Sequence, residues 1–286
     1  MNESGVGSLL DQETLHALRD ADALPGWARA HYDSFREALL GDRDGAPFPC
    51  HFGVQSERNG DALYAFVPSP TDPDALLALR DVLLEYLDVF RDHADRASLV
   101  VMFGPLRPEL GEREAHELVW HVLQFLHVHD PEPWPADIPT DPDDPYFEFS
   151  FGGEPMFPTC RAPFYETYRS RRCPVGLEVT FQPRAIFEGI TADTAAGRHA
   201  REHIQDRLAD YDDVPPHPML GDWGVEGDRE WVQYLLPEGD GAPEACPLVA
   251  TREHPKATPP EYDYRDARSP DPSGDRSAPA TEAGDD

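Results

Sequence analysis

DALYAFVPSPTDPDALLALRDVLLEYLDVFRDHADRASLVVMFG, residues 61–104, carries the reading that decides the fold class. DALYAFV and SLVVMFG are short runs of apolar, β-branched and aromatic residues and predict two strands. DPDALLALRDVLLEYLDVFRDHAD, between them, repeats its apolar residues at helical spacing. Working outward, LLDQETLHALRDADAL and GWARAHYDSFREALL predict two N-terminal helices. FPCHFGVQSE is expected to be a strand that pairs with DALYAFV as a hairpin through Asn59-Gly60, a dipeptide suited to a tight β-turn. In GEREAHELVWHVLQFLHVHD, Ala115, Leu118, Val119, Val122 and Leu126 line one face of a strong helix. A proline-rich loop, PEPWPADIPTDPDDP, leads into the strands YFEFSFGG, EPMFP and GLEVTFQP and the helix AAGRHAREHIQDRLADY. Strands and helices interleave without a clean βαβ rhythm. The expectation is α+β: a single domain with a mixed or antiparallel sheet flanked by helices, spanning residues 1–250. Residues 251–286 are proline, serine and acid; such a segment cannot bury enough apolar area to offset its chain entropy and is expected to be a disordered tail.

The chain has 286 residues, with 55 acidic against 24 basic side chains and a net charge of −31, and Lys256 is its one lysine. Acid excess with lysine almost absent suggests adaptation to high salt, where the Debye length falls to about 3 Å and self-repulsion is screened. This charge argues against nucleic acid and anionic membrane as partners, since both need a cationic footprint. LVVMF at 99–103 is too short to span a bilayer. The N-terminus has neither a basic n-region nor an apolar h-region. Four cysteines (50, 160, 173, 246) lack CxxC spacing, so a reduced, cytoplasmic protein is expected.

Against that background PYFEFSFGGEPMFPTCRAPFYETYRSRRCPVGLEVTFQPRAIFE, ending at Glu188, is a basic, aromatic-dense island. Between Arg161 and Arg184 stand five arginines (161, 169, 171, 172, 184) and two glutamates (166, 178), a net charge of +3. Guanidinium groups hold carboxylates and phosphates through paired N–H bonds, so such a cluster beside aromatic walls suits a flat anionic ligand. The competing reading is an Arg/Glu network on the protein's own surface. Pro49-Cys50-His51 offers a thiolate and an imidazole, both haem-iron or metal ligands, although cysteine is also commonly buried as a small hydrophobe. His116, His121, His127 and His129 share one helix. His116 and His127 lie about 16 Å apart at 1.5 Å rise per residue, too far to share a metal; one of the four is a candidate single axial ligand, and most are expected to be solvated or satisfied by carboxylates. P-loop, dinucleotide-binding, nucleophile-elbow and HExxH motifs are missing.

Taken together, Phe48-Pro49-Cys50, DPDDPYFEFSFGGEPMF at 141–157, Ser170-Arg171-Arg172, the FQPR-x-x-FE run at 181–188 and Gln233-Tyr234 resemble the YqcI/YcgG family, over roughly residues 25 to 237. The resemblance implies a haem-dependent oxygenase that hydroxylates a guanidine or amine nitrogen of a small-molecule substrate with the help of a redox partner. It implies that Arg171, Arg172 and Arg184 hold the haem propionates and that Phe149 and Phe151 flank the porphyrin. Many relatives carry a His-Pro pair before the arginine cluster; here the chain reads Arg161-Ala162-Pro163. An iron ligand must then come from Cys50, His127 or Cys160. Otherwise the chain is a non-enzymatic carrier or sensor of haem or another anionic ligand. Glu148 or Glu154 would pair with a cationic substrate.

Overall fold

The computed structural model describes residues 5–41, 45–105 and 110–256. In chain order the elements are β1 (Leu10–Asp11), α1 (Gln12–Asp20), α2 (Gly26–Leu40), α3 (His51–Asn59), β2 (Leu63–Val67), α4 (Pro73–His93), β3 (Leu99–Phe103), α5 (Glu112–Val128), β4 (Ser150–Phe151), β5 (Glu154–Pro155), β6 (Thr159–Arg161), β7 (Glu178–Phe181) and α6 (Ala195–Tyr211). The strand–helix–strand reading of 61–104 holds. β2 and β3 lie parallel, with Leu63 opposite Leu99 and Val67 opposite Phe103, joined across the sheet by α4. Asp72 caps α4 by accepting from the amides of Asp74 and Ala75, with Pro73 in the first turn.

The sheet order is β1-β2-β3-β7-β6, and every pairing except β2–β3 is antiparallel. The fold is therefore α+β with a mixed five-stranded sheet and a separate β4–β5 ribbon. All five residues of β2 and of β3 are buried, because helices cover both faces. Leu63, Ala65, Val67, Leu99, Val101 and Phe103 point into the larger core under α4 and α5. Tyr64, Phe66, Val100 and Met102 point the other way, against α1, α2 and Phe48. Among the described residues no helix is long and apolar enough to cross a membrane.

Two expectations are corrected. FPCHFGVQSE is not a hairpin strand: residues 51–59 form α3. Both edges of β2 are taken, by β1 and β3, so there is no place for that strand. Gly60 closes α3 in the left-handed region, φ 79°, donating its amide to Ser56 O. Glycine serves that helix cap for the same reason it serves a hairpin turn, which is why Asn59-Gly60 misleads. YFEFSFGG contributes only Ser150–Phe151 as strand; Gly152 and Gly153, both at positive φ, turn it back onto β5.

The packed chain also runs past residue 250. Gln124 exchanges two hydrogen bonds with the backbone of Val249, and Thr251 N–H donates to His127 Nε2 at 3.1 Å. Arg252 reaches the carbonyls of Pro135 and Ile138, and Lys256 Nζ lies 2.8 Å from Asp130 Oδ2 with both side chains buried. The rest of the expected tail lies outside the described residues.

Candidate functional site at the head of α5

The arginines of the basic island divide among separate partners. Arg161, on β6, faces Glu178 across the β6–β7 pair and donates from Nη1 to both its carboxylate oxygens at 3.2 Å. Arg169 pairs with Asp213. Arg171 donates to the carbonyl of Gln233 at 3.3 Å. Arg184 is held by two buried acids, Glu148 and Glu230. Arg172 is exposed at the mouth of a cleft. Of the three arginines expected to act together, Arg171 and Arg172 are neighbours in sequence and Arg184 belongs to a different network. Glu148 is engaged by Arg184 and Glu154 by Arg91.

Phe149 and Phe151 are fully buried in the larger core, with Phe149 packed 6.4 Å, ring to ring, from Phe181. The expected iron ligands are not brought together. Cys160 sits on β6 in that same core, and burial pushes its thiol up to about 12. His127 accepts from Thr251 N–H, and burial, reinforced by the Lys256 charge, pushes its imidazole down to about 3. Cys50 packs with the opposite core, where its sulfur caps α3 by accepting from Gly53 N–H at 3.4 Å.

What the fold does assemble is a cleft of about 460 Å³ lined by Leu110, Gly111 and Glu112 at the start of α5, by Pro163, Phe164 and Glu166 after β6, and by Arg172 and Glu238. Three carboxylates and one guanidinium thus share a small space. Glu238 Oε1 is anchored by the amide and hydroxyl of Thr167, both at 2.6 Å, while its Oε2 is buried without a partner among the described residues. Glu112 Oε1 accepts from Glu238 N–H, tying the two acids together across the cleft. One turn along α5, His116 packs 6.3 Å from Phe164, ring to ring, and its Nε2 is buried without a partner among the described residues. Burial lowers its pKa, against the raising influence of Glu112, so the imidazole is neutral and keeps a lone pair.

Glu112, Phe164, Glu166 and Glu238 were not legible as a site. Glu112 and Glu238 are separated by 126 residues, and no local pattern links them. The signal available was weaker: Arg172 in the island and a histidine one turn into the α5 helix.

The family model described as YqcI/YcgG family matches residues 35–249. "Uncharacterized protein YcgG" of Bacillus subtilis (strain 168) is 39% identical over 235 residues, covering 80% of this chain and 91% of that protein. "Uncharacterized protein YqcI" of the same organism is 35% identical over 231 residues, 80% and 90% of the two chains. "Putative N(omega)-hydroxy-L-arginine synthase DcsA" of Streptomyces lavendulae is 32% identical over 256 residues, 87% and 92% of the two chains. Among solved structures there is no significant match.

Proposed function

The chain belongs to the YqcI/YcgG family, and on that premise we propose that it is an oxygenase that hydroxylates a nitrogen of a small guanidino compound bound in the cleft at the head of α5. The observation that carries this reading is the charge arrangement of the cleft: Glu112, Glu166 and Glu238 opposed by Arg172, with Phe164 beside them. A guanidinium presents N–H donors in a planar fork, which carboxylates accept and an aromatic face stacks. Glu238 supplies an acceptor in Oε2, a buried oxygen without a partner among the described residues. Arg172 takes a carboxylate at the other end of the ligand, so an arginine-like amino acid satisfies both poles. The name of the Streptomyces relative supports the same substrate class and reaction.

The reaction inserts one atom of O2 into an N–H bond and reduces the other to water, consuming two electrons and two protons. A redox partner or reductant supplies the electrons. Haem is the cofactor proposed to activate the oxygen, chemistry that belongs to the iron. Of the described residues near the cleft, His116, packed on Phe164 behind the lining with its Nε2 buried and without a partner, would be the group to hold the iron. Among the residues first expected to bind haem, Arg172 remains free for this role or for substrate; Arg184, Phe149 and Phe151 are committed to the core. The chain's own contribution is then orientation: Glu238 and Glu112 fix the guanidinium, and Phe164 shields one face of it from water.

Protein expressed with haem supply, given L-arginine and related guanidino compounds, O2 and a reductant, should yield a product heavier by one oxygen atom that carries label from 18O2. Glu238→Gln removes the charge of the acceptor and is expected to lower kcat/KM by about 10–100-fold, the worth of a charged hydrogen bond of about 1.5–3 kcal/mol. The melting temperature should stay near that of the parent. Ligand binding with no oxygenated product at any haem loading would favour a carrier or sensor instead.

A further inference from the structure

On the other side of the sheet, His31 from α2, Cys173 and Glu178 from β7 meet in a space closed to solvent, each 1% exposed or less. Their Nε2, Sγ and carboxylate oxygen all lie within 4.8 Å of one another. Nε2 is 3.1 Å from the sulfur and 3.9 Å from Glu178 Oε2.

Both ends of this group are oriented by the backbone. His31 Nδ1 lies 3.1 Å from the carbonyl of Phe103. A carbonyl only accepts, so Nδ1 carries the proton and the Nε2 lone pair faces the thiol and the carboxylate. Metal-bound imidazoles are commonly fixed by such an outer bond. On the sulfur side the chain turns through Cys173-Pro174-Val175-Gly176, which brings the Val175 and Gly176 amides round toward Sγ. Burial pushes the Cys173 thiol up to about 11, so the thiolate that binds metal forms as the ion displaces the proton. The turn is tight: a Cβ on Gly176 would stand 3.2 Å from Phe103 O and 3.6 Å from His31 Cε1. Arg161 completes the surroundings, bonded to Glu178 through Nη1 and to Arg172 O through Nη2 while its Nε is buried and unpartnered.

We propose that His31, Cys173 and Glu178 form a binding site for one divalent transition ion, zinc before others, with a fourth position left to water or another oxygen ligand. One imidazole nitrogen, one sulfur and one carboxylate are the mixed donors that a borderline-soft ion selects. Zinc bonds of about 2.3 Å to sulfur and about 2.0 Å to nitrogen set those two atoms about 3.5 Å apart at a tetrahedral angle, so nitrogen and sulfur part slightly and the Glu178 carboxylate swings inward to admit the ion. A thiolate and a carboxylate, balanced by Arg161 and a divalent cation, leave a small net charge in the buried space. Arg161 Nε is available to the oxygen ligand in the fourth position. The ion would tie α2 to β7 and to the turn at Cys173. None of these groups belongs to the α5 cleft, so the site stands apart from the guanidine reading.

The test is titration of full-length, metal-stripped protein with Co2+. One ion per chain should bind with a near-ultraviolet thiolate-to-cobalt charge-transfer band and the visible bands of four-coordinate cobalt, and Zn2+ should displace it. Cys173→Ser should abolish the charge-transfer band. A second variant, with Cys50→Ser, Cys160→Ala and Cys246→Ser, retains Cys173 as its one thiol and should keep the band, which decides the matter if Cys173→Ser folds poorly. Absence of the band in the parent, or its survival in folded Cys173→Ser, overturns the site and leaves a thiol–imidazole hydrogen bond.

Discussion

Replacing Arg184 with methionine is expected to cost about 3–5 kcal/mol of folding stability, because it strands two buried acids at once. Arg184 Nε donates to Glu148 Oε2 at 2.8 Å, and Nη2 reaches Glu148 Oε1 and both oxygens of Glu230. Glu148 is wholly buried and Glu230 nearly so. Burial pushes Glu148 up to about 8, the Glu230 charge adds to that, and Arg184 works against both. Glu230 is raised as well, again chiefly by burial. A raised carboxyl means the folded protein holds a proton that the unfolded chain releases above its ordinary value of 4.5. That contribution is full below this value and is lost as pH rises through about 8. Without the guanidinium the loss deepens, since nothing then stabilises the ionised pair. The variant should therefore be close to the parent near pH 4.5 and far less stable at alkaline pH, read as urea midpoints across that range. Equal destabilisation at both ends would show that the network's charge is not what matters.

The Arg184 network also explains what could be read from sequence and what could not. Helix α2 was legible in full, since GWARAHYDSFREALL places Ala28, Tyr32, Phe35 and Leu39 on one buried face. α4 and α5 were legible for the same reason of length and period. α3 was not: nine residues give too few repeats, and its glycine cap looks like a hairpin turn. The charge of the basic island was countable, but its partners were not. Arg184 meets Glu148 across 36 residues and Glu230 across 46, and no local period records such pairings. Three of the five stretches that carried the family resemblance come together here. YFEF supplies Glu148 and the amide of Phe149, FQPR supplies Arg184, and Tyr234 donates no distant chemistry but accepts from Phe149 N–H at 2.8 Å. Much of the recognisable pattern is thus core architecture, while the cleft acids Glu112 and Glu238 lie outside the motifs that announced the family.

Lys256→Met should bring the second large loss, near the lower end of about 3–5 kcal/mol. Its amine meets Asp130 Oδ2 with both side chains sealed from solvent, so removal leaves a buried carboxylate without its counter-charge. The expectation falls below that for Arg184 because Asp130 Oδ1 still accepts from the amides of Glu132 and Gly152. Burial already raises the Asp130 carboxyl, opposed by the Lys256 hydrogen bond and charge. Deleting the lysine pushes it higher, so the folded variant takes up a proton at a pH where the parent does not. Its stability should then fall as pH rises through that new value, the sign shared with Glu148. Cutting the chain after Ala250 makes a stricter comparison, since it also removes the Thr251 amide from His127 Nε2 and the Arg252 bonds to Pro135 and Ile138. That truncation should unfold at lower urea than Lys256→Met. If the two match the full chain, residues 251–256 lie on the surface without holding it, and the folded domain ends at 250 as composition alone suggests.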